Sequence, residues 1–248
     1  MENRKRTKKN LLYFPLGTVG RDMVYSLINS YLLTFVLFTH TLDGAQVAAV
    51  TGIMIAARVF DALNDPVMGN IIERTRSRYG KFKPWLLAGG VSTSVVISLL
   101  FNVQLQGWAF VWFFAVMYFA FSITYTMSDI SYWGMIPALG SDADARNQFT
   151  SRATLFAGIG GVLASILIPM FSTGSSALGG STAVAYGRIA LAVAVLSPLF
   201  ILFTLFGVQE NRAVVPEERT RERFSLKAVF RTIARNDQLV WIAVIFLI

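Results

Sequence analysis

Apolar residues along this chain come in long uninterrupted blocks separated by short polar connections, not in the brief alternations of a soluble core. Six blocks run over 11–39, 45–72, 83–103, 108–137, 153–173 and 187–208, and a further apolar run begins at Leu239 and reaches Ile248. Each of the six is long enough for a helix to cross a bilayer. The pattern therefore predicts an all-α, polytopic transmembrane helix bundle. The first, second and fourth blocks exceed the ~20 residues a bilayer requires, which predicts tilt or projection beyond the membrane.

Composition agrees with that pattern. Of 248 residues 54% are hydrophobic, and the mean hydropathy is +0.56. There is no cysteine, so disulfides and thiolate metal sites are excluded. The lone His40 stands at a helix end with no ligand-spaced partner and reads as an interfacial residue. The net charge of +8 would suggest nucleic acid in a soluble protein, but its distribution says otherwise. Arg4, Lys5, Arg6, Lys8 and Lys9 precede the first block; Arg74, Arg76, Arg78, Lys81 and Lys83 follow the second; Arg146 and Arg152 follow the fourth. Arg212, Arg219, Arg221, Arg223, Lys227, Arg231 and Arg235 follow the sixth, whereas the opposite connections hold only Arg188. This asymmetry places the N-terminus in the cytoplasm and excludes a nucleic-acid footprint.

Residues 1–208 are thus expected to form a six-helix bundle. The stretch 209–238 carries charges of both signs, and its apolar positions Phe224, Leu226, Val229, Phe230 and Ile233 predict a short amphipathic helix on the inner membrane surface. It reads as a cytoplasmic linker. The apolar run 239–248 is too short to cross and is expected to begin a seventh helix, so the chain is expected to be the first part of a longer protein.

Six charges fall inside the apolar blocks: Arg21, Asp22, Arg58, Asp61, Asp65 and Asp129. A charge near the bilayer centre costs at least ~2.5–3.5 kcal/mol, so six of them require one another, water or a ligand. At 100° per residue Arg58, Asp61 and Asp65 lie within about 60° of one another on one helix face. Tyr125, Asp129 and Trp133 follow at i, i+4 and i+8, with Ser122 and Thr126 on the adjoining stripe. Four acids against two Arg leave an excess of negative charge, which proton uptake or a cation held by oxygen ligands would relieve. An Arg58–Asp61 ion pair that only locks helices is the structural alternative.

The stretch Ala57-Arg-Val-Phe-Asp-Ala-Leu-Asn-Asp-Pro-Val-Met-Gly69, followed by Glu73-Arg-Thr-Arg-Ser-Arg-Tyr-Gly-Lys-Phe-Lys-Pro-Trp85, closely resembles the glycoside–pentoside–hexuronide:cation symporters. Gly20-Arg-Asp22, Thr124-Tyr-Thr-Met-Ser-Asp-Ile-Ser-Tyr-Trp133 and Asn236-Asp-Gln238 extend the likeness over essentially the whole chain. The resemblance implies a major-facilitator fold of two six-helix halves, of which this chain holds the first with the start of helix seven. It implies a cation site at Asp61, Asn64, Asp65 and Thr126, with Na+ as the candidate metal at Asp61 and Asp65. It implies sugar contacts at Arg21, Asp22, Tyr125, Asp129, Trp133 and Arg152, with Arg58 as the charge partner of the span-two acids. Gly69, Glu73, Arg74 and Arg78 would belong to a conformational inner loop.

The expected function is secondary active transport, coupling entry of Na+, H+ or Li+ to uptake of a glycoside or related sugar by alternating access. The expected setting is the cell (plasma or inner) membrane. The expected working form is a monomer of the full-length chain, with a sugar, a monovalent cation and the bilayer as partners and no cofactor. A lysolipid carrier of the same fold and a non-transport sensor or scaffold are the rival readings. An enzyme is the least expected, since no nucleophile–base pair or metal cluster stands out.

Overall fold

Three helix starts fall where a polar side chain takes up a free backbone N–H group, beyond the reach of a hydropathy window. Asp43 accepts from the Gln46 N–H at 2.8 Å and the Gln46 side chain accepts from the Asp43 N–H at 3.1 Å. That reciprocal cap, three residues beyond a sharp break at His40, begins a helix at Gly44. Asp142 accepts from the Ala145 N–H at 2.7 Å, and Ser181 accepts from the Val184 N–H at 3.4 Å. Both helices therefore begin earlier than the apolar blocks, and Arg146, Arg152 and Arg188 lie within helices instead of in connections.

The computed structural model describes residues 2–140, 142–174 and 177–209. The chain divides into two units, Met1–Val215 and Pro216–Ile248, and every described residue belongs to the first. The expected linker helix and the apolar run 239–248 lie outside the described residues. In order, the elements are α1 (Glu2–Ser26), a single π turn (Leu27–Tyr31), α2 (Leu32–Thr39), α3 (Gly44–Arg74), α4 (Lys83–Asn102), α5 (Gly107–Gly134), α6 (Ile136–Leu139), α7 (Ala143–Ser172) and α8 (Thr182–Gly207). With α1, the π turn and α2 as one span and α5 continued by α6, six helices are long and apolar enough to cross a membrane. The expected all-α, multi-pass architecture is what the structure shows.

Helix α1 packs between α7 and α8, α4 packs on α5 and α8, and α3 rests chiefly on α5. Close approach sets these contacts. A Cβ added at Gly20 would lie 2.6 Å from Ser197 Cα, and one at Gly160 would meet the Val19 carbonyl. Small residues let α1 sit this near to α8 and α7, as is common in membrane bundles.

Two apolar clusters fill the bundle. One includes Leu27, Phe35, Phe101, Phe110, Phe114 and Tyr186; the other includes Phe14, Ile72, Leu86, Tyr132 and Phe149. Along α1, α3 and α5 the intramembrane charges fall at the seam between them. Large apolar side chains such as Phe38, Trp112 and Phe206 point outward, which suits a surface in contact with hydrocarbon.

Candidate functional site

The seam holds two polar groupings that share α5. In the first, Arg21 of α1 reaches Asp22 at 3.1 Å and Asp129 of α5 at 3.0 Å. Its guanidinium also sits over the Tyr132 ring at 4.8 Å and the Trp133 ring at 4.9 Å. Arg21 is only 5% exposed, whereas Asp22 and Asp129 are 21% and 34% exposed. The cation is thus sealed beneath aromatic faces while its two carboxylates remain reachable. That arrangement suits a neutral polyhydroxyl ligand, whose hydroxyls can donate to carboxylate oxygens already held in place.

Tyr132 is fixed from the other side. It stacks on Phe14 at 4.3 Å and donates its hydroxyl to the Phe14 carbonyl at 2.6 Å. Tyr125 lies one turn before Asp129, tilted against Tyr25 of α1 at 6.0 Å and stacked on Phe121 at 5.4 Å. Trp133 is half-buried with one ring face beside Arg21. Asp22, Arg21, Tyr125, Asp129 and Trp133 are therefore neighbours along α1 and α5, as their sequence stripes suggested.

The second grouping joins α3 to α5 and to the π turn. Thr126 donates to Asp65 at 3.1 Å, and Ser122, one turn earlier, donates to Asp61. Arg58 lies 3.9 Å from Asp61 and also donates to the side-chain oxygen of Asn29. Asn64 is oriented inward, and its buried Nδ2 lacks a hydrogen-bond partner. Carboxylate, hydroxyl and amide oxygens from two helices are the hard donor set that Na+ or a proton requires. Among the described residues no three acidic or His side chains cluster as a metal-ion site. A cation here would be held by Asp61, Asp65 and neutral oxygens together.

Arg152 sits elsewhere. It donates to the Leu11 carbonyl at 3.3 Å, ten residues and roughly 15 Å of helix rise before Arg21. The structure does not bring it to the other sugar-site candidates. Gly69, Glu73 and Arg74 form the end of α3, with Glu73 and Arg74 exposed, and Arg78 donates to the Tyr79 hydroxyl at 2.6 Å. The Thr75 hydroxyl accepts from the Trp85 indole at 2.8 Å, tying this end of α3 to the start of α4.

Two features escaped the sequence reading. The π turn has no 3.6-residue signature, and with it went Asn29, whose partner lies 29 residues away. The burial of His40 was the other, its ring stacked on Phe110 at 3.9 Å with Phe35 at its edge.

Residues 13–248 match the family described as MFS/sugar transport protein. The chain is 30% identical to the lactose permease of Lactobacillus helveticus, over 100% of this chain and 42% of that protein. It is 30% identical to the raffinose carrier protein of Pediococcus pentosaceus, over 95% of this chain and 39% of that protein. It is 26% identical to the isoprimeverose transporter of Lactiplantibacillus pentosus, over 94% of this chain and 47% of that protein. The chain therefore spans less than half the length of these three curated relatives.

Proposed function

The chain belongs to the MFS/sugar transport protein family, within the glycoside–pentoside–hexuronide:cation symporters, and from that premise we propose that it forms the first half of a carrier coupling cation entry to sugar uptake. The observation that carries this reading is the use of α5 by both groupings. Asp129 holds Arg21, while Ser122 and Thr126, on the adjoining stripe of the same helix face, engage Asp61 and Asp65. A cation bound at Asp61 and Asp65 offsets their charge and sets the position of α3 against α5. The same helix presents Tyr125, Asp129 and Trp133 to a sugar. Occupancy of one site thereby changes the affinity of the other, and the coupling is reciprocal. With both ligands bound the charge excess is relieved and the bundle can reorient.

In this reading Arg21, Asp22, Tyr125, Asp129 and Trp133 bind the sugar, Asp61, Asn64, Asp65 and Thr126 bind Na+, Li+ or H+, and Arg58 balances the acids of α3. Arg152 instead anchors the start of α7 to α1. The Gly69–Arg78 end of α3 moves with the change of facing. The N-terminus is cytoplasmic, the membrane is the plasma or inner membrane, and the working unit is a monomer of the full-length protein. The function is transport and not catalysis. The relatives that include a lactose permease, a raffinose carrier and an isoprimeverose transporter support a neutral glycoside as cargo.

The test is an uptake screen of glycosides, pentosides and hexuronides with the full-length protein in proteoliposomes, under separate Na+ and pH gradients. Cation-stimulated uptake of at least one glycoside is expected. It should be abolished in Asp61→Cys and Asp65→Cys, while sugar binding survives in part. Uptake indifferent to every cation, or unchanged in both variants, sinks the reading.

A further inference from the structure

The π turn in the first span places Asn29 where it can face α3. Widening a helical turn disturbs the regular backbone ladder, and such turns recur at functional sites. Here the Asn29 amide works in both directions. Its Nδ2 donates to the Tyr25 carbonyl at 3.0 Å, which anchors the side chain to its own helix. Its oxygen accepts from Nη2 of Arg58. The other terminal nitrogen of Arg58 stands 3.9 Å from Asp61, at the outer limit of an ion pair, and Arg58 is 56% exposed. The second oxygen of Asp61 takes the Ser122 hydroxyl. A continuous chain thus runs from Tyr25 through Asn29, Arg58 and Asp61 to Ser122, crossing three spans.

We propose that Asn29 is a positioning residue of the cation site: it holds Arg58 back from Asp61, so that the carboxylate stays open to the coupling cation. This rests on the reading that Asp61 and Asp65 take that cation. The chemistry is a competition. A guanidinium and an alkali cation, or a proton, seek the same carboxylate oxygens. A neutral acceptor in the π turn takes part of the donor capacity of Arg58 without adding a charge of its own. Without that acceptor Arg58 closes onto Asp61 and a cation must displace it. An acid at position 29 would draw Arg58 away more strongly. Asn29 bonds to Tyr25 and Arg58 and not to Arg21, Asp22 or Asp129, so sugar affinity at saturating cation is expected to be left alone.

The experiment titrates NaCl, LiCl and HCl against uptake of the sugar that gives the largest signal in the screen above. It compares the parent protein with Asn29→Leu and Asn29→Asp. Asn29→Leu is expected to raise the half-activating concentration of the coupling cation about tenfold, the equivalent of one charge-assisted hydrogen bond, with sugar KM at saturating cation unchanged. Asn29→Asp is expected to activate at or below the parent concentration. In an Arg58→Met background Asn29→Leu should add nothing, since the two residues act through one contact. Parent-like activation in Asn29→Leu, a rise in Asn29→Asp, or a full Leu effect in the Arg58→Met background each overturns the proposal. Should Asn29→Leu fail to reach the membrane, the Asp variant alone decides by its direction. Absence of cation activation in the parent protein overturns the symport reading instead, and separates the two failures.

Discussion

Arg21 Nη1 of α1 lies 3.0 Å from Asp129 Oδ1 of α5, and the same guanidinium closes over the rings of Tyr132 and Trp133. This contact ties two spans together through a charge that is 5% exposed. A buried cation that loses one of its two carboxylates keeps its desolvation cost against the one that remains, here Asp22 at 3.1 Å, so the loss falls below the about 3–5 kcal/mol of a buried pair broken outright. We predict that Asp129→Asn and Arg21→Leu each lower the thermal midpoint in detergent by several degrees. The double variant should regain most of that loss while sugar binding stays absent. Single variants as stable as the parent would remove Arg21–Asp129 from the account of the fold.

Thr126 donates to Asp65 and Ser122 to Asp61. If these hydroxyls order the cation ligands, Thr126→Val and Ser122→Ala should weaken cation activation by about tenfold each, the scale of a hydrogen bond to a charged group. Activation curves for uptake report this directly. A changed sugar KM with unaltered activation would place the two hydroxyls in the sugar site instead.

Trp133 is half-buried with its ring beside the Arg21 guanidinium, and in the proposed site it stacks on the sugar. Trp133→Phe should retain part of the sugar affinity, whereas Trp133→Ala should lose about 1–3 kcal/mol of it, consistent with the loss of a large aromatic contact. Equilibrium binding of a labelled glycoside separates the two variants. Equal affinity in the Ala variant would exclude stacking.

His40 lies outside the apolar spans, and burial against Phe110 and Phe35 holds its imidazole below the ordinary value of 6.5. The folded value is the lower one, so this packing keeps its full contribution above about pH 6.5 and loses it below that, as pH falls through the depressed folded value. Thermal melts between pH 7 and pH 5 should show a declining midpoint that His40→Phe flattens. The same acid slope in the variant would assign the effect to other groups.

Gly160 meets the Val19 carbonyl, and Gly20 meets the backbone of α8 at Ser197. Gly160→Val and Gly20→Val should each destabilise the bundle by about 1–3 kcal/mol through overpacking. Gly52 has open space at its Cβ position inside α3, and Gly52→Ala, expected to leave stability equal to the parent's or up to about 1 kcal/mol higher, serves as the control in the same melts.

The spans were legible because a bilayer demands long apolar runs, and the site stripes because helical spacing alone puts Arg58, Asp61 and Asp65, or Tyr125, Asp129 and Trp133, on one face. What spacing cannot show is which stripe meets which. That Arg21 would pair across to Asp129, and Arg58 reach Asn29, depends on helix packing set by positions such as Gly20 and Gly160. Helix starts lie earlier than expected where Asp142 or Ser181 caps the first turn, since hydropathy weighs the residues and not their hydrogen bonds. The π turn was invisible for a similar reason: Leu27–Tyr31 lie inside one continuous apolar block, and hydropathy does not register a widened turn.

Helix α3 rests chiefly on α5, whereas α1 is clasped by α7 and α8. Among the described spans, the acids expected to choose the ion therefore sit on one held chiefly by a single neighbour, and the residues expected to hold the sugar sit on spans held by two. Over evolutionary time such a division lets ion preference drift through single replacements on α3 while cargo recognition is conserved. One scaffold could in this way diversify into carriers that share a sugar but draw on different gradients.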